Sequence, residues 1–134
     1  MMRMMRIWLV LAGVSGFLAV ALGAFGAHGL KAKLGPLPDG AQRLEWWHTA
    51  SSYQGLHALA LVAAAFLAQQ GATAAARAAG VGFSLGTLVF CGSLYTMTLT
   101  GVRWLGAITP LGGVGFLVGW AALAIGAWGL PGGD

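Results

Sequence analysis

Three histidines, one cysteine and a single Glu-x-x-His step are the residues of this chain whose types could do chemistry. His28 and His57 fall on different apolar segments at similar depth, and two axial imidazoles are one way to hold a haem iron. Lys31 and Arg103 could then supply cations for the propionates. Glu45-x-x-His48 has the i, i+3 spacing of half a di-iron carboxylate site, but such a site needs a second copy and further glutamates. With one Glu and two Asp in the chain, that reading fails. Cys91 and Ser93 are possible nucleophiles, yet neither has a His near it in sequence, and a cysteine in apolar surroundings is ordinarily inert. A lone Cys91 also leaves no intramolecular disulfide and no Cys-rich zinc site. The sequence points to no catalytic residue and no metal. It requires no cofactor, and haem on His28 and His57 is the one cofactor alternative.

The segments that must position these residues are apolar. The charged residues leave four long uncharged runs: Ile7 to Leu30, Trp46 to Ala76, Ala78 to Val102 and Trp104 to Gly133. Each exceeds the roughly 20 residues a helix needs to cross a bilayer. Backbone in hydrocarbon must satisfy its own hydrogen bonds, as a helix or a closed barrel does. Runs rich in Leu, Ala and Gly without strict alternation are helices. The expected fold is therefore all-α, a single four-span integral membrane domain over residues 1–134. Its spans are expected at about 7–27, 50–70, 77–100 and 104–130, each near the length that crosses a bilayer. Apolar residues make up 58% of the chain and charged ones 7%, against roughly 25% charged in a soluble domain. The net charge of +4 could suggest nucleic acid. The basic residues, however, sit singly or in pairs at span ends, where they meet lipid phosphates. Membrane lipids, not nucleic acid, are the expected partners.

The start, with Arg3 and Arg6 before an apolar run, imitates a signal peptide, and Ala19-Val20-Ala21 imitates a cleavage site. The apolar run outlasts the roughly 7–15 residues of an h-region, so a retained first span is expected. Asp39 with Gln42 three residues later resembles a capping box and predicts a helix start. Gly101 to Arg103 predicts a tight turn, and Pro110 falls in the early turns of span four, where proline costs least. Short connections favour an antiparallel up-down-up-down bundle. Trp8 and Trp128 are expected at one membrane face, and Trp46, Trp47 and Trp104 at the other. Trp120 falls inside a span, so its indole N–H needs a partner.

Small residues recur at steps of three and four. Ala12, Gly16, Ala19, Gly23 and Gly26 mark one face of span one; Gly112, Gly115, Gly119, Ala122 and Gly126 mark one face of span four. That period keeps a seam against a partner helix, and in lipid small residues permit the close contact on which association relies. Gly16, Gly23, Gly26, Gly112, Gly115 and Gly119 are thus expected in helix–helix contacts, on the other terminal span or on the middle pair. Gly82 and Gly86 add a shorter step in span three.

Polar groups inside a membrane are expensive and usually face the bundle interior or a cavity. Here all four spans bring them to the leaflet opposite the termini. His28 ends span one there. Tyr53, Gln54 and His57 open span two, Ser93 and Tyr95 close span three, and Thr109 opens span four. These seven residues are the candidate site: a latch that ties helices together, or a pocket for a small ligand or lipid headgroup. Arg3, Arg6 and Arg77 lie on the terminal side, against Lys31, Lys33, Arg43 and Arg103 on the other. That balance does not decide orientation; the usual extra weight of the first span leans the termini towards the cytoplasm.

Gly23-Ala-Phe-Gly-Ala-His-Gly29, Tyr53-Gln-Gly-Leu-His57, Phe90-Cys-Gly-Ser-Leu-Tyr95, Thr109-Pro-Leu-Gly-Gly113 and Gly119-Trp120 resemble the successive motifs of the domain-of-unknown-function 423 family, which includes transmembrane protein 256. The resemblance spans nearly the whole chain. It implies a small four-helix protein of bacterial inner membranes, found also in eukaryotes, and implies no reaction. Cys91 departs from the serine of many bacterial members, and a thiol is a weaker donor. The functional expectation is an accessory or interaction subunit of a larger membrane complex, or a lipid-binding bundle. A small-molecule transporter is the alternative, but with no Asp or Glu inside a span its coupling would fall to His28 or His57.

Overall fold

A computed structural model describes residues 2–132. Four long helices occupy them: α1 (Met2–Leu34), α2 (Gly40–Gln69), α3 (Thr73–Thr100) and α4 (Arg103–Trp128). All four are long and apolar enough to cross a membrane. Neighbours in sequence pack as neighbours in space, α1 on α2, α2 on α3 and α3 on α4, which makes an antiparallel four-helix bundle. The glycine-marked terminal helices therefore pack mainly on the middle pair.

Burial identifies the central helices. In their most apolar stretches α2 is 56% and α3 44% buried, against 17% for α1 and for α4. The α2 core is built largely of alanines, among them Ala50, Ala60, Ala64, Ala65 and Ala68, with Leu61 and Leu67. Short side chains let α1 and α3 each pack closely on α2. The outer surface is the reverse of a soluble protein's: Phe17, Val20, Leu59, Leu88, Leu117 and Ile125 are each at least 70% exposed. A continuous apolar exterior on this scale is stable only against lipid.

Local chemistry sets the helix ends. The helix α2 starts behind Asp39, but the capping box does not form: Asp39 makes no side-chain cap bond. Its carboxylate instead lies 3.7 Å from Arg43 Nη1, one turn on. Gly101 ends α3 with φ +72°, and its N–H donates to Met97 O at 2.7 Å, a left-handed cap that glycine adopts without strain. The helix α4 opens with a 3₁₀ turn over Arg103–Ala107 and becomes α-helical at Thr109–Trp128, with Pro110 in its first turn. Two five-residue π turns, Gly26–Leu30 and Thr87–Cys91, interrupt α1 and α3. Through the first of these α1 continues past the expected end of span one to Leu34.

Four spans put both termini on one side. Reporter fusions at the amino and carboxyl ends are expected to give the same compartment signal. Opposite signals would mean that one of the four helices does not cross.

Candidate functional site

The fully or nearly buried polar side chains are Ser51, Gln54, His57, Ser93 and Thr98. They run from the middle of the bundle, where His57 lies level with Phe83 and Trp120, towards the end opposite the termini. The half that holds the termini is lined mainly by Ala, Leu, Met and Phe side chains and the Trp8 ring.

Gln54 ties three helices. Its Oε1 accepts the Tyr95 hydroxyl of α3 at 2.6 Å. Its Nε2 donates to the Ser15 carbonyl of α1 at 3.2 Å. Tyr95 is held on its other side by the Trp47 ring, edge to face with centroids 4.6 Å apart. Trp47 in turn donates from Nε1 to the Leu22 carbonyl of α1 at 2.7 Å. Gly26 leaves room for that indole, because a Cβ there would lie 2.6 Å from Trp47 Nε1.

His57 forms a second unit. Trp120 of α4 donates its indole N–H to His57 Nε2 at 3.1 Å, and His57 Nδ1 lies 2.7 Å from the Tyr53 carbonyl. An indole N–H only donates and a carbonyl only accepts. These two partners therefore fix the neutral tautomer, with the proton on Nδ1. A proton on Nε2 would set donor against donor. The imidazole is 2% exposed and stacks on Phe116 at 3.6 Å between centroids and 9° between planes. Phe83 and Trp120 lie around it at 5.7 and 5.8 Å.

Ser93 and Thr109 form a third unit, joining α3 to α4 with hydroxyl oxygens 2.6 Å apart. A fourth lies at the membrane end. Arg43 donates from Nε to Thr98 O at 2.8 Å and from Nη2 to Leu99 O at 3.1 Å, which satisfies carbonyls at the end of α3. The Thr98 hydroxyl returns a bond to Arg43 O at 2.9 Å.

Of the seven candidate residues, six lie in these units and one does not. His28 is exposed on the π turn of α1. One extra residue in a turn rotates the remainder of the helix by about 100° around its axis, and Trp47 fills the space beside Gly26. Tyr53 contributes its carbonyl and ring, the latter 4.7 Å from Phe90; its side chain is 43% exposed. His57 and Tyr95 do not bond to each other, so the set is a string of adjoining ties and not a single network. Cys91 is 1% exposed, packed with Ala50, Leu94, Met97 and Phe116.

Sequence reasoning missed the two backbone acceptors on α1, at Ser15 and Leu22, and the Arg43–Thr98 clasp. Carbonyl acceptors leave no mark in a sequence. The clasp had one: a cation at the start of one span facing the glycine-ended close of another.

The glycines of α4 meet α3 at backbone distance. A Cβ on Gly82 would lie 2.8 Å from Gly115 O and 2.9 Å from Gly119 N, and one on Gly115 would lie 3.1 Å from Gly86 Cα. A Cβ on Gly119 would lie 2.5 Å from the Phe83 ring. Gly112 abuts the Phe90 backbone. On α1 the approach is looser: Cβ atoms on Gly16 and Gly23 would meet Ala58 and Ser51 at 3.7 Å, ordinary contact.

A family model described as "Protein of unknown function (DUF423)" matches residues 22–113, a stretch that contains every one of the seven candidate residues. The chain belongs to this family. Its relatives include the UPF0382 membrane protein YwdK of Bacillus subtilis, 42% identical over 124 residues, 92% of this chain and 97% of that protein. The UPF0382 inner membrane protein YgdD of Escherichia coli K12 is 41% identical over 122 residues, 91% of this chain and 89% of that protein. The UPF0382 membrane protein SSP2132 of Staphylococcus saprophyticus is 41% identical over 126 residues, 92% and 98% of the two chains. No solved structure matches the chain. This DUF423 member is a multi-pass membrane protein. Ser15 and Trp120, which complete the Gln54 and His57 units, lie outside the matched stretch.

Proposed function

We propose that the protein is a non-catalytic accessory bundle of a bacterial inner membrane that docks a helix of a larger membrane complex, with its termini in the cytoplasm. One observation carries this reading. A lipid-facing groove of about 680 Å³ runs between α1 and α2, and its floor is Ala12, Gly13, Gly16, Ala19, Ser52, Gly55 and neighbouring small residues. Floors of this kind let a further helix approach to backbone distance, where packing in lipid is strongest.

The polar ties support the non-catalytic half of the reading. Both nitrogens of His57 and both side-chain polar atoms of Gln54 have partners inside the bundle. With Nε2 accepting from Trp120 and Nδ1 bonded to the Tyr53 carbonyl, neither imidazole nitrogen of His57 is left over for an iron ligand. The two units act as a latch. The same closure speaks against proton-coupled transport through His57.

Gly13 provides the test. A Cβ there would meet nothing within 4 Å, so Gly13→Leu introduces its side chain at the groove without a clash at its first atom. After gentle solubilisation the wild type is expected to migrate in a larger assembly, and Gly13→Leu as the free bundle with an unchanged melting midpoint. Photo-crosslinking from Ser52 is expected to give a protein adduct that the variant loses. Unchanged migration of the variant overturns the docking reading; adducts of lipid mass alone would make the groove an acyl-chain site.

A further inference from the structure

The end of the bundle that holds the termini carries a cavity of about 380 Å³ between α1 and α3, lined by Arg3, Met4, Ile7, Trp8, Arg77 and Val81. Two arginines on one small cavity repel each other unless something negative lies between them. Among the described residues neither pairs with a carboxylate; the one ion pair there, Arg43 with Asp39, is at the opposite end. Both helices also present their amino-terminal ends here, with no acidic residue in either first turn. Each end adds partial positive charge.

The floor is built around an aromatic ring. Trp8 is 8% exposed, and its indole N–H has no acceptor among the described residues. Gly80, one turn beyond Arg77, seats that ring against α3: a Cβ at residue 80 would run into it, 2.5 Å from Cδ2. Met4 and Met5 pack beside it. A buried donor without an acceptor is unfavourable, and here it stands at the wall of a cationic cavity.

We propose that Arg3 and Arg77 form a binding site for a phosphate-bearing anion at the terminal face of the membrane, floored by the Trp8 ring. Guanidinium groups bind phosphate oxygens through charge-assisted, often bidentate hydrogen bonds. The site lies in the first turns of two membrane helices, at the level of lipid headgroups. An anionic phospholipid headgroup and a soluble phosphate offer the same chemistry. The two arginines carry the binding. The Trp8 N–H is covered by its neighbours and joins only if the ring turns towards the anion. The proposal does not rest on the docking groove, which lies between α1 and α2.

The test uses the purified full chain in a neutral detergent, titrated separately with phosphatidylglycerol, phosphatidylcholine and inorganic phosphate. Retention is read by native mass spectrometry and stability by the melting midpoint. Phosphatidylglycerol is expected to be retained and to raise the midpoint, and phosphatidylcholine to do neither. Arg3→Gln and Arg77→Gln are each expected to weaken binding about fivefold, and together about twentyfold. Arg6→Gln, which removes a charge of the same face outside the cavity, is expected to leave binding unchanged. Inorganic phosphate reproducing the shift, with the same dependence on Arg3 and Arg77, would support the site and assign it to a soluble anion. Equal effects of the two lipids, no binding of any probe, full binding in the double variant, or an equal loss in Arg6→Gln would each overturn it. If the double variant does not fold, Arg77→Gln against Arg6→Gln carries the same comparison.

Discussion

Gly82→Ala is expected to destabilise the bundle by about 3 kcal/mol, near the upper end of what one added methyl costs in a packed interior. The reason is what the methyl would meet. Its nearest neighbours are backbone atoms of α4, the Gly115 carbonyl at 2.8 Å and the Gly119 N and Cα at 2.9 and 3.1 Å. A flexible side chain can swing aside, whereas a helix backbone moves only as a body. The helices α3 and α4 would have to separate along their whole contact, and the Ser93–Thr109 bond with them. Gly119→Ala meets the Phe83 ring, which is fully buried under Trp120 and His57, and should cost about 2 kcal/mol. Gly16→Ala and Gly23→Ala meet only ordinary contacts at 3.7 Å and should stay within about 0.5 kcal/mol of wild type. Reversible unfolding in mixed micelles measures all four. Equal effects at Gly82 and Gly23 would contradict the close approach of α3 and α4.

That contrast also marks how far the sequence could be read. Four uncharged runs and their lengths are enough for four membrane helices, because lipid leaves the backbone so few options. The steps of three and four between glycines were legible as seams. Their unequal tightness was not, because it depends on which partner residue lies opposite: another glycine at Gly82 against Gly115, but Ala58 against Gly16. The capping box failed for a similar reason. Asp39 and Gln42 had the right spacing, but Arg43 sits one turn away and takes the carboxylate.

The candidate site was legible as a rough depth and not as a wiring diagram. Counting residues along each helix places Ser93, Tyr95 and Thr109 towards the end opposite the termini, but His57 lies at mid-bundle, level with Phe83 and Trp120. Which pairs bond depends on rotation about each axis, and the π turns of α1 and α3 shift that rotation where a 3.6-residue period cannot foresee it. His28 leaves the set on that account. Trp120 was expected to find a partner, and the partner is His57. The Gln54 bond to Ser15 O was out of reach, because Ser15 contributes only backbone.

Gln54 is where removing one side chain should cost most among these ties. Gln54→Leu takes the acceptor from the Tyr95 hydroxyl and the donor from Ser15 O, and it leaves that hydroxyl inside the bundle beside Trp47. A stranded buried polar group costs about 1–3 kcal/mol, so a loss of about 2 kcal/mol is expected. Tyr95→Phe removes the same hydroxyl and strands Gln54 Oε1, with an expected loss of about 1.5 kcal/mol. The double variant Gln54→Leu/Tyr95→Phe leaves neither group unsatisfied and should cost less than the sum of the singles. The expected coupling is about 1 kcal/mol, within the range found for hydrogen bonds between membrane helices. The Trp120→Phe and Tyr95→Phe pair serves as the control, since Trp120 bonds His57 and Tyr95 bonds Gln54. Their effects should add. Coupling in the first pair without any bound ligand is what a latch requires, because the bond then works within the bundle alone. Additive effects at Gln54 and Tyr95 would mean that their 2.6 Å contact contributes nothing to holding α2 against α3.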